Sequence, residues 1–329
     1  MNQYKVKGHI GEGAHGYVMK AINLITNQEV AIKKLSLKSL NEGIPNNVLR
    51  EIKVLQQIDC EYVVQLIDVI PHGMGFVVIM EYIPFNLADV IRNLCKPLSE
   101  SQIKKYMRML LMGVAYLHGQ NIMHRDLKPS NLLISQKGTL KIADLGLARL
   151  YSLNESDRQY SHQVATRWYR APELLYGSRS YTPSVDMWAV GCIFGEMINK
   201  SPLFPGETDI EQLAIILRTL GTPTEEIWPG LTSLPDYNKI SFPDYTAVPW
   251  DHILPDTESH VIDFIRHFIQ YNRQKRKTAR EALINQYFFI KPLECDLSEM
   301  PQPDEFEENN YSYNNELNFD DLVSLFTGS

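Results

Sequence analysis

The chain has 329 residues, is 44% hydrophobic and 22% charged, and carries a formal net charge of −7. That length and apolar content suffice for a sizeable core in about two lobes or domains, while no apolar stretch approaches the ~18 residues that argue for a membrane span. Ten acids and no Lys or Arg fall in residues 293–329, and the 32 basic residues against the remaining 29 acids leave +3 for the rest; acidity belongs to the tail, and no broad basic stripe supports nucleic-acid binding.

Residues 1–30 lack the apolar run of a signal peptide, so the chain is expected to stay inside the cell, with no membrane insertion. Cys60, Cys95, Cys192 and Cys295 show no paired spacing, and they read as ordinary thiols rather than metal ligands or disulfides. Runs 4–11, 16–24 and 28–35 have the pattern of short strands separated by turn signals. Gly11-Glu12-Gly13-Ala14-His15-Gly16-Tyr17-Val18 bridges the first two. In a dinucleotide-binding fold such glycines open a helix. Here strands continue on both sides, which places the glycines in a hairpin whose backbone can approach phosphates. On the third strand Ala31, Lys33 and Leu35 share one face and Ile32 and Lys34 the other.

Residues 46–58 read as a helix with Val48, Val54, Leu55 and Ile58 on its apolar stripe and Glu51 in the middle of that stripe. An unpaired carboxylate there is costly, so Glu51 is expected to take a cationic partner rather than to sit as a surface acid. Apolar strands at 66–70 and 75–81 flank a Pro-His-Gly-Met-Gly turn. After Leu98 the period lengthens. Ile103, Tyr106, Met107, Leu110, Leu111, Val114 and Leu117 trace one helical stripe, and Val190, Ile193, Phe194, Met197 and Ile198 another, in a segment apolar enough to be buried all round. The run Arg273, Lys275, Arg276, Lys277 reads as a solvated loop, with a nuclear-import patch as the alternative. A small β-rich lobe (4–82) thus precedes a larger helical one (83–289), followed by an acidic, largely disordered tail (290–329). Within that tail Phe319, Leu322, Val323 and Phe326 recur at helical spacing, so a short docking helix is expected near 317–326.

Three strings lie between the helical stripes: His124-Arg125-Asp126-Leu127-Lys128-Pro129-Ser130-Asn131, Asp144-Leu145-Gly146 and Ala171-Pro172-Glu173. In this order, after a glycine-rich hairpin and a Val30-Ala31-Ile32-Lys33 strand, they resemble the constellation of a serine/threonine protein kinase. The resemblance covers roughly residues 4–290 and implies an α+β, bilobal kinase fold using ATP and Mg²⁺. It implies Asp126 as the base, Lys128 as a screen for the γ-phosphate, Asn131 and Asp144 as metal ligands, and Lys33 as the partner of Glu51. Met80-Glu81-Tyr82-Ile83 matches the hinge that reads adenine through backbone groups, with Met80 as gatekeeper, Ile10, Val18 and Leu133 around the base, and Gly11, Glu12, Gly13, Ala14, His15, Gly16, Tyr17 and Ala31 also among the implied ATP-binding residues. Leu145 departs from the usual Phe. By the same resemblance Glu173 pairs with Arg276, and Asp186 holds the catalytic loop by its backbone.

Thr166-Arg167-Trp168-Tyr169-Arg170 resembles the group containing cyclin-dependent and mitogen-activated kinases, as do Leu220-Gly221-Thr222-Pro223 and Trp228-Pro229. That implies Thr166 among the catalytic residues and a proline-directed pocket from Val164, Ala165, Trp168 and Arg170. Residues 42–51 resemble the cyclin-facing helix, implying a cyclin-like activator, and Ser161-His162-Gln163 lacks the tyrosine of mitogen-activated kinases. Ser161 is the expected activating phosphosite, modified by an activating kinase, with Arg50, Arg125 and Arg149 as its phosphate-binding arginines. Ala14 and His15 stand where many cyclin-dependent kinases carry inhibitory Thr and Tyr. Protein substrates with Ser/Thr-Pro follow, as do cytoplasm and nucleus, with the cilium by resemblance alone. The alternatives are a mitogen-activated-like kinase and a catalytically weak ATP-binding scaffold.

Overall fold

Period-2 alternation in the first third of the chain builds one antiparallel sheet. The computed structural model describes residues 3–13, 16–36, 52–53, 55–72, 75–93, 96–151 and 166–301. Strands β1 (Tyr4–Gly13), β2 (Gly16–Asn23), β3 (Glu29–Ser36), β4 (Leu66–Pro71) and β5 (Gly75–Glu81) lie in the order β1-β2-β3-β5-β4. Ile32 joins Tyr4, Met19, Val77 and Ile79 in a small cluster on one face, whereas Leu35 and Val78 join the main core with Ile52 and Leu55. Of the helix expected over 46–58, residues 52–53 and 55–56 are helical; 46–51 and 54 lie outside the described residues.

The remainder is helical around a few very short strands. β6 (Phe85–Asn86) and α1 (Leu87–Arg92) lead to α2 (Glu100–Gly119), which opens on a reciprocal capping box between Ser99 and Gln102. Its predicted stripe, from Ile103 to Leu117, is wholly buried. β7 (Ile122–Met123), β8 (Leu132–Ile134), β9 (Leu140–Ile142) and β10 (Arg149–Leu150) form a β6-β8-β9 sheet and a β10-β7 pair. At two or three residues each, they are too short for a sequence period to reveal. α3 (Pro172–Leu175) precedes α4 (Ser184–Asn199), which is buried without a break from Val185 to Met197, as its all-round apolar pattern demands. α5 (Asp209–Leu220), α6 (Trp250–Ile253), α7 (Ser259–Ile265) and α8 (Ala279–Leu283) complete the set. Trp228 stacks on Tyr271 at 5.4 Å and meets Tyr176 edge-on at 5.8 Å, anchoring the segment after α5 to the core. Among the described residues no helix is long and apolar enough to cross a membrane.

The expected start of a disordered tail at 290 is corrected. Lys104, completely buried on α2, donates to Ile290 O at 2.9 Å and Pro292 O at 2.7 Å, with its ammonium 4.6 Å from the Tyr287 ring. Arg108 pairs with Glu294, and Gln102 Nε2 donates to Glu299 O at 2.7 Å. Met300 is buried against Gly138, whose backbone is left-handed at φ +79° and where a Cβ would fall 2.6 Å from Met300 Cβ. The strap 290–301 is held mainly by polar contacts to its backbone, so its acidic composition hid it. Residues 302–329, including the expected docking helix, lie outside the described residues.

Candidate active site

The loop 124–131 is fixed from beneath by one buried carboxylate. Asp186, on the first turn of α4, accepts from His124 N at 2.9 Å and Arg125 N at 2.8 Å, and His118 Nε2 lies 2.8 Å from Oδ2. Burial alone would raise the Asp186 carboxyl; the hydrogen bond and charge of His118, with the Arg125 amide, hold it below the ordinary aspartate value. With its amide so held, Arg125 takes a left-handed backbone, φ +69°. Its side chain donates to Leu147 O at 2.7 Å and to Tyr181 Oη at 2.9 Å. Arg149 is close enough for its charge to act on the same Tyr181 hydroxyl.

Above that support, the polar residues of the loop converge on Asp126. Oδ1 accepts from Thr166 N at 2.9 Å and Thr166 Oγ1 at 3.1 Å. Oδ2 faces Lys128 Nζ at 3.1 Å and accepts from Asn131 Nδ2 at 3.0 Å. Asn131 Nδ2 also donates to Asp126 O at 2.8 Å, and Lys128 Nζ to Thr166 Oγ1 at 2.9 Å. Three side chains and one backbone amide from two segments therefore lock one carboxylate, and their four contacts engage the roughly four lone-pair sites that it offers, so a substrate hydroxyl would take the place of one of them.

The neighbouring cleft has a volume of about 400 Å³. The sheet contributes Ile10, Gly11, Val18 and Ala31 to its lining, β8 and β9 contribute Leu133 and Ile142, and Met80, Glu81 and Ile83 edge it. Lys33, Asn131 and Asp144 close its polar end. Lys33 Nζ donates to Asp144 Oδ1 at 3.0 Å. Burial would raise the Asp144 carboxyl, but the charge and hydrogen bond of Lys33 keep it below the ordinary value, so it is anionic at neutral pH. Leu145 is buried in the main core and also lines the cleft, so the substitution for Phe leaves a packed side chain there. The Glu81 carboxylate is held by Lys141 Nζ at 2.7 and 2.9 Å and by Gln65 N at 2.8 Å, leaving backbone as its contribution to the cleft.

Most expected residues that are described come together here, with two corrections. Tyr17 does not line the cleft: strand alternation gives that face to Val18, and Tyr17 packs with the small cluster, its ring 5.6 Å from His9. The solvated reading of the basic run fails at Arg276, which instead makes the pairing with Glu173 that the resemblance implies. Arg276 is buried and bidentate to Glu173, both N–O distances 2.7 Å, and donates to Gln270 O at 2.8 Å. Glu12, Gly13 and Gly16 have the hairpin backbone expected, Glu12 facing Tyr17 and Gly13 facing Gly16 in register. Ala14, His15, Arg50, Glu51, Ser161, Val164 and Ala165 lie outside the described residues. Arg170 and Trp168 flank α5, where sequence reading missed Asp209 as the partner of Arg170 and Gly206 O as that of Trp168. Leu55, Val64 and Ile142 were also missed as cleft residues, because their apolar character signals only core.

The profile of the protein kinase domain matches residues 4–288. The chain belongs to the protein kinase family. Within it this kinase is 59% identical over 304 residues to cyclin-dependent kinase 20 of Danio rerio, covering 92% of this chain and 88% of that protein. Against cyclin-dependent kinase 20 of Homo sapiens it is 55% identical with the same coverage. A chain of the yeast RNA Pol II CTD kinase CTDK-1 complex superposes with a TM-score of 0.81 at 36% identity, covering 90% of this kinase and 96% of that chain. These relatives make it a cyclin-dependent-kinase-like serine/threonine kinase, from a family that uses ATP and typically Mg²⁺. The donor set suits that metal. Mg²⁺ prefers a few oxygen ligands completed by substrate phosphates, and Asn131, its amide nitrogen engaged twice with Asp126, lines the cleft together with the anionic Asp144.

Proposed function

We propose that this kinase transfers the γ-phosphate of Mg-bound ATP to Ser or Thr followed by Pro in protein substrates. The observation that carries the reading is the locked Asp126, with Thr166 and Lys128 on one side and Asn131 on the other, beside the polar end of an adenine-sized cleft. Asp126 accepts the proton of the substrate hydroxyl, and its fixed neighbours hold it in place for attack. Lys128 supplies positive charge next to that carboxylate, and Lys33 orients the phosphates. Asn131 and Asp144 would hold Mg²⁺, whose chemistry is to neutralise charge developing on the phosphoryl oxygens. Backbone groups of 81–83 would read adenine, and Arg170 would support selection of proline.

Regulation follows the same reading. A cyclin-like activator would engage residues 42–51, and phosphorylation of Ser161 would bring Arg125 and Arg149, already gathered at Tyr181, together with Arg50. We assign it to the cyclin-dependent class of protein kinases acting in cytoplasm and nucleus. Mass spectrometry of Ser-Pro and Ser-Ala peptides incubated with Mg-ATP, with and without candidate cyclins, tests the assignment. Phosphate on Ser-Pro in preference to Ser-Ala is the expected result. No transfer under any condition would leave an ATP-binding scaffold, and equal transfer would remove the proline preference.

A further inference from the structure

Two arginines of the segment that precedes α3 end on one carboxylate of a distant helix. Arg167 Nε donates to Asp209 Oδ1 at 2.9 Å, and Arg170 donates through NH1 to Asp209 Oδ2, also at 2.9 Å. The two bonds sit in different surroundings: Arg170 is buried, whereas half of the Arg167 side chain is exposed. The surrounding segment fits the turn 167–169 closely. Trp168 Nε1 donates to Gly206 O at 3.1 Å, Gly206 N donates to Gln212 Oε1 at 2.9 Å, and a Cβ on Gly206 would lie 2.5 Å from Gln212 backbone atoms. From the opposite side Tyr169 Oη donates to Glu196 at 2.6 Å.

Asp209 stands at the start of a helix. It is the first residue of the twelve-residue α5, after the Thr208 cap, where the helix dipole favours negative charge. Burial pulls the Arg170 guanidinium below its usual value and the Arg167 charge adds to that; the charge and hydrogen bond of Asp209 oppose both. With one guanidinium nitrogen bonded to Asp209, α5 helps to set the orientation of the plane.

We propose that Asp209 is a positioning residue for substrate selection: by fixing Arg170 it sets the preference for proline after the acceptor serine. This rests on the proline-directed reading above. A hydrogen bond to a charged group supports discrimination of about tenfold or more, so D209N should lower the Ser-Pro to Ser-Ala ratio of kcat/KM by about that factor, chiefly through KM on the Ser-Pro peptide. R167A, which leaves the part-buried Arg170 bond in place, should keep the ratio within about twofold. D209E should recover part of it.

The experiment measures the ratio in wild type, D209N, D209E, R167A, R170Q and the double variant D209N/R170Q, with melting curves for each. If Asp209 acts through Arg170, D209N changes nothing further once Arg170 is gone. A wild type without preference for proline overturns the proline-directed reading and this proposal with it. A wild type that prefers proline, with folded D209N at the same ratio, overturns the role of Asp209 alone. Should D209N not fold, D209S takes its place: an unchanged ratio in folded D209S, or a loss in it that adds in full to that of R170Q, rejects the proposal.

Discussion

Two ion pairs in this molecule look alike on paper and sit in opposite circumstances. Lys33 and Asp144 meet at the end of an open cleft, with Asp144 still 23% exposed at its side chain, whereas Arg276 and Glu173 are sealed at 0% and 3%. The first pair joins residues that a ligand would touch, so it can exchange partners at modest cost. The second is bidentate, has its remaining donors satisfied by Gln270 O and Ser184 O, and lies 5.1 Å from the Trp188 ring centroid. Nothing can replace either partner there. Charge in the cleft serves chemistry; charge under α3 joins the segment after Asp144 to the helical body.

Breaking each pair should separate the two roles. K33M or D144A should remove transfer, a loss of at least about 10²–10³ in kcat, with a smaller fall in melting temperature than breaking the sealed pair, because Asp144 keeps some exposure to the cleft; near-normal turnover in either would end the distinction. R276A should do the reverse. It strands a buried carboxylate at a cost of about 3–5 kcal/mol, seen as a fall in melting temperature of roughly 5–10 °C, and R276K should not rescue it because one ammonium cannot replace a two-toothed fork. M300A should cost about 2 kcal/mol; a melting point equal to wild type would mean that the strap does not belong to the cooperative fold.

The smallest effect concerns acid. Asp186 and Asp144 are both held below the ordinary aspartate value, so the stability they supply is complete above the unfolded value of about 3.9 and is lost as pH falls through their lower folded values. Denaturant midpoints measured from pH 7 down to pH 3 should therefore fall at the acid end. D186N should start lower at pH 7 and fall less steeply, and a parallel curve would show that Asp186 carries no part of the acid sensitivity.

How much of this could be read beforehand depended on whether a residue's neighbours were local. The sheet, the two buried stripes and the converging loop residues were legible because alternation, helical period and fixed spacing are written within a few positions. Asp209 was not. An acid in the first turn of a helix has an ordinary local explanation, and its arginines lie about forty positions away. Arg276 was legible only through the resemblance, which implies its pairing with Glu173; the local run of basic residues by itself reads as a solvated patch. The strap 290–301 leaves Leu293 and Leu297 exposed and is gripped through backbone carbonyls, which leave no mark in composition. Tyr17 was misplaced by carrying a loop's identity one residue too far along a strand.

Lys104 gives the strap an unexpected analytical use. Its ammonium is completely enclosed, bonded to the carbonyls of Ile290 and Pro292, and its pKa is lowered, chiefly by burial. An amine-directed reagent would reach it only in the moments when residues 290–292 lift away. Timed acylation read by peptide mass would then turn this one lysine into a clock, its modification rate counting how often the end of the kinase domain peels from α2.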